Sequence, residues 1–224
     1  MSASPEPPRL VVFASGRGSN FLALVEAVRD GRLPVRIAAL FSDRPGCAAV
    51  AAARALGIPT VALRPRDFAD RAGFDRALFA ELAAYRPDLL VLAGFLRILD
   101  PAVIAPWTGR IINIHPSLLP KYPGLDTHRR ALTSGDAFHG ASVHYVGAEL
   151  DAGPVIAQAT LAVAPGDTPE TLAARLLVEE HRLLPAVIDL IARGRIALDG
   201  TGVCLDGQAL PRPLQLEAGG LARG

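Results

Sequence analysis

The sequence predicts an α/β protein built on a doubly wound, mostly parallel sheet whose C-terminal portion turns antiparallel. Three observations point there. From Arg9 to Ile114, short apolar runs alternate with helix-patterned segments, as in sheets buried on both faces by crossover helices. A glycine-rich turn directly follows the first apolar run and opens a helix. From Gly140 onward, the strand-like runs alternate polar and apolar residues, as half-buried antiparallel strands do.

The elements follow in order. After a Pro-rich start, Arg9 to Ala14 is a buried parallel strand, Ser15 to Asn20 a glycine turn, and Phe21 to Arg29 a helix closed by Gly31. Val35 to Phe41 is the next strand, Pro45 to Leu56 an Ala-rich helix, and a third strand runs from Gly57 through Leu63. Asp67 to Tyr85 reads as one helix, Asp88 to Ala93 as a fully buried strand, and Asp100 to Ala105 as a short helical turn. The strand at Arg110 to Ile114 leads into a loop held irregular by Pro116, Pro120 and Pro123. Gly140 to Val146 and Pro154 to Val163 form an antiparallel pair joined by a turn. Asp167 to Glu170 carries helix-start signals for a long amphipathic helix over Leu172 to Ala192. The remainder resembles a hairpin or arm, with disorder expected beyond Glu217.

Composition narrows the function. A chain of 224 residues, half of them hydrophobic, suits one sizeable domain. A net charge of +1 gives no reason to expect nucleic acid or a membrane surface as partner. Cys47 and Cys204 lie far apart without metal-ligand spacing and read as reduced and structural, in the cytoplasm. No apolar run reaches the length of a membrane span, and the N-terminus lacks a signal-peptide core.

Four constellations carry chemistry. Asn113 and His115 sit two apart on one strand, so both side chains face the same way, at the carboxyl end where α/β sheets bind ligands. Gly16-Arg-Gly-Ser-Asn lacks the third glycine of a dinucleotide loop and the Lys-Ser/Thr of a P-loop. Two readings of it stand: a cradle for a monophosphate, or a tight turn with Ser19 or Asn20 as N-cap. Asp151, in the turn Glu149 to Gly153, either folds back onto His115 and favours its imidazolium or is turn chemistry alone. Gly94 to Leu99 either lines a pocket for a flat ring and carboxylates or begins the next helix. Ser117 lacks a nucleophile elbow and reads as a loop cap. The other histidines (His128, His139, His144 and His181) show no metal-binding spacing, so no metal is expected.

Taken together, SGRGSN (15–20), LAGFLRIL (92–99), NIHPSLLPKYPG (113–124), HGASVHYV (139–146), ELDAGPVI (149–156) and EEH (179–181) resemble the phosphoribosylglycinamide formyltransferases, folate-dependent enzymes of purine biosynthesis. The resemblance implies a Rossmann-like formyltransferase domain over 9–198, with flexible tails at 1–8 and 217–224 and an arm or hairpin over 199–216. It also implies 10-formyltetrahydrofolate as co-substrate and formyl transfer to the amine of glycinamide ribonucleotide. By the same analogy Asn113, His115 and Asp151 are the catalytic trio. Gly18, Ser19 and Asn20 hold the nucleotide, and Glu180 contacts its ribose side. Arg71, Leu96, Arg97, Ile98, Leu99 and Asn113 hold the folate. Asp126, in GLDTH, departs from many relatives, and the loop from Tyr122 to Thr133 has the glycine and prolines of a lid. The implied partners are small molecules, with the chain a monomer or weak homodimer.

Rival readings are weaker. A methionyl-tRNA formyltransferase is expected to have a further RNA-binding domain and a more basic chain. A formyltetrahydrofolate deformylase is expected to have an N-terminal regulatory domain. A non-catalytic nucleotide-binding module leaves Asn113, His115 and Asp151 without purpose.

Overall fold

The computed structural model describes residues 6–200 and 202–223. Residues 1–5 of the expected N-terminal tail, Thr201 of the arm and Gly224 fall outside them. Where one domain is expected, the contacts divide into two compact units, one ending at Val103 and one beginning at Ile104.

The first unit is a four-stranded, all-parallel sheet with crossover helices. Its strands are β1 (Arg9–Phe13), β2 (Arg36–Ser42), β3 (Thr60–Ala62) and β4 (Leu89–Leu92), in the spatial order β4-β1-β2-β3. Helices α1 (Ser19–Arg29), α2 (Ala48–Ala55) and α3 (Arg71–Ala80) supply the crossovers that parallel pairing requires. β4 is buried throughout and all of β1 after Arg9 is, which explains their uninterrupted apolar sequences. Phe13 gathers Phe41, Phe79 and Phe95 around it, with ring centroids at 5.2, 5.7 and 5.4 Å. The sheet grows towards β3 on one side of β1 and towards β4 on the other. That reversal makes the carboxyl ends of β1 and β4 the place where such a sheet opens a ligand crevice.

The expected helix from Asp67 to Tyr85 is three pieces. A 3-10 turn covers Pro65–Asp67, α3 starts afresh at Arg71, and Glu81–Ala84 tightens into 3-10 again. Asp70 causes the restart: it is extended and its carboxylate accepts from the Gly73 N–H at 2.6 Å, a side-chain N-cap.

The short helix α4 (Pro101–Ile104) closes the first unit, and the second contains β5 (Ile111–His115), α5 (Thr127–Thr133), β6 (Phe138–Tyr145) and β7 (Val155–Ala162). β6 and β7 are antiparallel neighbours, as their alternating sequences predict, and β5 also pairs antiparallel with β6, although its sequence continues the apolar pattern of the parallel strands. Gly140 lets them approach, because a Cβ there would collide with the Ala159 carbonyl oxygen and the Leu118 side chain. The long helix α6 (Pro169–Ala192) packs on β6 and β7. Its start carries a reciprocal capping box between Thr168 and Thr171, with Pro169 in the first turn. The strands β8 (Ile196–Asp199), β9 (Gly202–Leu205) and β10 (Gln208–Ala209) form a small antiparallel sheet.

Two expectations are corrected. The C-terminal residues after Glu217 are not a loose tail: β11 (Leu214–Glu217) and β12 (Gly220–Arg223) make a hairpin, and β11 pairs in parallel with β7. Backbone pairing orders this segment, whose sequence has little apolar pattern. The second half of the expected lid loop is α5, which Asp126 enters through a left-handed conformation at φ 59°.

A histidine pair, buried at His139 and half-buried at His128, joins α5 to β6. His139 Nε2 lies 3.1 Å from His128 Nδ1, with ring centroids 5.1 Å apart and nearly perpendicular planes. Burial, aided by the charge His128 would carry, pushes the His139 pKa from 6.5 down to about 4, against the pull of Asp136. Between those values the unfolded chain binds a proton that the folded chain refuses, so folding stability falls as pH drops through that window. Urea unfolding is therefore expected to show a lower midpoint at pH 5 than at pH 7. His139→Gln, which cannot titrate, should flatten that difference.

Candidate active site

The site grows from the register between β5 and β6. Asn113 stands directly opposite His144, and His115 opposite Ser142, so the side chains of each pair share one face of the sheet. Asn113 Nδ2 lies 3.1 Å from His144 Nε2. Asp151 arrives from the turn between β6 and β7, held in the left-handed region at φ 52°. That turn closes tightly because residue 153 is glycine: a Cβ there would strike the Tyr145 carbonyl oxygen.

The turn places the Asp151 carboxylate between two imidazoles. Oδ2 is 3.4 Å from His115 Nδ1, and Oδ1 is 3.6 Å from His144 Nε2. The Gly124 N–H donates to Oδ2 at 2.8 Å. Of the two readings open for Asp151, the structure has it folded back onto His115. Burial pushes its carboxyl up, but the His144 ring, the Gly124 N–H and the charge of His115 outweigh that and hold it below the usual carboxylate range.

His115 corrects an expectation. Asp151 and the Tyr122 carbonyl do pull its pKa up, but burial is stronger and leaves it below the usual imidazole value. The unliganded ring is therefore neutral near pH 7 rather than a standing imidazolium. Its Nε2 is 2.9 Å from the Tyr122 carbonyl oxygen, which only accepts, so Nε2 carries the proton. The Nδ1 lone pair then faces Asp151, and a second proton arriving there meets a carboxylate.

The loop after β5 is tied down so that Tyr122 reaches His115. The Ser142 hydroxyl donates to the Ser117 carbonyl at 2.7 Å and accepts from the Leu119 N–H and Gln158 Nε2 at 3.0 and 2.9 Å. Ser117 donates to the Lys121 carbonyl at 2.6 Å, a loop-holding role. Lys121 Nζ and the Tyr122 hydroxyl both bind Asp136, at 3.0 and 2.8 Å.

The other expected site residues divide by unit. Glu180 belongs to the second, on the buried face of α6. Gly18, Ser19, Asn20, Arg71, Leu96, Arg97, Ile98 and Leu99 belong to the first. Gly18 is the N-cap of α1 at φ 75°, and no side chain caps the helix, so neither Ser19 nor Asn20 is the cap. A Cβ on Gly18 would come within 2.6 Å of Ala49 Cβ. Gly18 brings no capping side chain to the first turn of α1, whose backbone N–H groups favour an anion.

Gly94 to Leu99 is not the start of a helix; α4 begins only at Pro101. The segment leaves β4 through a bend at Gly94, φ 75°, has no regular secondary structure, and alternates in burial. Leu96 and Ile98 are 58% and 51% exposed, while Phe95 and Leu99 are buried. It joins the glycine turn through Ser15, whose N–H donates to the Gly94 carbonyl and whose Oγ accepts from the Leu96 N–H, both at 3.0 Å. The Arg97 guanidinium lies 4.4 Å over the Phe74 ring.

Two residues escaped the sequence reading. Asp75, fully buried on α3, accepts from the Asp100 N–H at 2.9 Å and faces Arg97 and Arg71 at 3.9 and 4.0 Å. Burial still holds its pKa above the ordinary value. His144 is the other. Its inward position is legible in the alternation of HGASVHYV, but its cross-strand partner is not.

The formyl transferase family matches residues 8–188. Phosphoribosylglycinamide formyltransferase of Escherichia coli is 46% identical over 202 residues, 90% of this chain and 95% of the relative. The structure of phosphoribosylglycinamide formyltransferase from Coxiella burnetii superposes with a TM-score of 0.88 at 45% identity, covering 92% of this chain and 96% of that one. A formyltetrahydrofolate deformylase from Pseudomonas putida is more distant, at 28% identity and a TM-score of 0.80, covering 91% of this chain and 72% of the other. On the extent of these matches, the chain belongs to the formyl transferase family.

Proposed function

We propose that this protein transfers the formyl group of 10-formyltetrahydrofolate to the amine of N1-(5-phospho-D-ribosyl)glycinamide. The products are the N2-formyl nucleotide and tetrahydrofolate, a step of de novo purine (IMP) biosynthesis. The observation that carries this reading is the convergence of Asn113, His115 and Asp151, with no credible nucleophile beside them, in a chain 46% identical to a named enzyme of this activity.

The chemistry fits those groups. The neutral primary amine attacks the formyl carbon, and the carbonyl oxygen gains the negative charge of a tetrahedral intermediate. An Asn113 N–H donates to that oxygen, and the protonated form of His115 stabilises it. The attacking nitrogen then loses a proton and the folate N10 gains one as the C–N10 bond breaks. Asp151 makes the second proton on His115 affordable by facing Nδ1, and assists the transfer between the nitrogens. For Nε2–H to serve the reacting oxygen, it must leave the Tyr122 carbonyl, so the 116–124 loop yields when substrate arrives.

Gly18, Ser19 and Asn20 are assigned to the nucleotide phosphate, which the uncapped start of α1 favours, and Glu180 to its ribose side. Arg71 and the segment Leu96, Arg97, Ile98 and Leu99, together with Asn113, are assigned to the folate. The exposed Leu96 and Ile98 suit its flat ring. No metal enters this mechanism. No helix among the described residues is long and apolar enough to cross a membrane. We place the enzyme in the cytoplasm as a monomer or weak homodimer.

The deformylase reading differs only in the acceptor, water in place of the amine. Incubating the purified protein with 10-formyltetrahydrofolate, with and without glycinamide ribonucleotide, separates the two. Tetrahydrofolate release that requires the nucleotide supports the transferase, and equal release without it overturns it. His115→Ala should lower kcat by about 10²–10⁴-fold while nucleotide affinity changes little; near-wild-type turnover would remove His115 from the mechanism. Asp151→Asn keeps an acceptor for Gly124 and tolerates the left-handed backbone. Losing the charge that pulls His115 up should move the limb of the kcat–pH profile belonging to His115 to lower pH.

A further inference from the structure

We propose that His144 is a positioning residue for the reaction: its neutral ring fixes the amide of Asn113 so that the nitrogen, not the oxygen, is presented as a donor. This rests on the reading of Asn113 as the oxyanion donor, and it assigns a role to a histidine that metal-ligand spacing passes over.

The argument is one of donors and acceptors. His144 is 2% exposed, so its ring nitrogens must find partners inside the protein. Nδ1 lies 2.9 Å from the Tyr145 carbonyl oxygen. A carbonyl oxygen only accepts, so the proton of the neutral ring is on Nδ1. Nε2 then offers a lone pair and nothing else. The group 3.1 Å from it is the Asn113 amide, and only the Nδ2 end can donate there. The reversed amide would set Oδ1 against that lone pair, two acceptors face to face. Side-chain amides are ambiguous in isolation, but here the Tyr145 carbonyl settles the tautomer and the tautomer settles the amide.

The nearest competitor does not displace this arrangement. Asp151 Oδ1 is 3.6 Å from His144 Nε2, farther than the Asn113 amide at 3.1 Å, so the amide holds the nearer place. The register then makes the contact permanent: Asn113 and His144 are direct cross-strand neighbours on β5 and β6, so neither can drift without breaking the ladder. An amide held by one N–H and free to turn by neither route keeps its second N–H for the charge that develops on the formyl oxygen. This is preorganisation, in which the donor is oriented before the charge forms.

A double-mutant cycle tests it. His144→Phe keeps the ring and removes the acceptor; His144→Gln restores an acceptor near the position of Nε2. In the otherwise native enzyme, His144→Phe should lower kcat by about 10–100-fold with both KM values little changed, and His144→Gln should recover most of the loss. With Asn113→Ala already in place, His144→Phe should change kcat by less than about two-fold, because its effect passes through Asn113. Equal losses in both backgrounds, or an unchanged kcat in His144→Phe alone, overturn the proposal. If Asn113→Ala itself leaves kcat unchanged, the donor role of Asn113 fails and this inference fails with it. The slow Asn113→Ala enzyme with additive His144→Phe overturns only the inference. Nitrogen-15 NMR of the native protein gives a check that needs no variant to fold. The ring of His144 should show a protonated Nδ1 and an unprotonated Nε2; the opposite tautomer overturns the proposal.

Discussion

The antiparallel register of β5 against β6 is the constraint on which the catalytic cluster depends. It sets Asn113 across from His144 and His115 across from Ser142. A slip of one residue would turn the side chains of the shifted strand to the other face and part both pairs. The register is guarded from both sides. Gly140 admits the close approach of Ala159 and Leu118, while Ser142, fully satisfied by three partners, anchors the loop that follows β5. Fold and site are held by the same backbone pairing here.

Within the cluster, burial and charge oppose each other at His115. A buried imidazole resists a second proton, and a carboxylate beside Nδ1 invites one. Burial prevails in the unliganded protein. The balance suits a group that must accept charge only when an oxyanion appears, since the added negative charge favours the protonated ring. Asp151 answers to the opposite balance, with its neighbours overcoming burial to keep it ionised.

In the first unit, the reversal of strand order at β1 opens a crevice at the carboxyl ends of β1 and β4, and Ser15 stitches together the two turns that leave them. Gly18 gives the helix start its uncapped form, and Asp75 holds the segment after β4 from beneath through the Asp100 N–H. The alternation of buried Phe95 and Leu99 with exposed Leu96 and Ile98 follows from that anchoring.

Much of this was legible in the sequence because local pattern encodes it. Apolar runs marked the parallel strands, the spacing of Asn113 and His115 put both on one face, and the glycine turn marked the start of α1. The ordered motifs pointed to the family. Other features required distant residues to meet. The C-terminal hairpin is ordered by backbone pairing with β7, which leaves little trace in side-chain pattern. The break before α3 depends on one capping carboxylate at Asp70. Asp75 looks in sequence like any polar residue on a helix, and its burial is a fact of packing. The neutral state of His115 and the tautomer of His144 depend on burial and on carbonyl groups brought near by folding. The sequence by itself determined which chemical groups the site contains and which strand carries the first two. Only the tertiary structure decided which of them touch and which carry protons, because register, burial and backbone acceptors are properties of the folded chain.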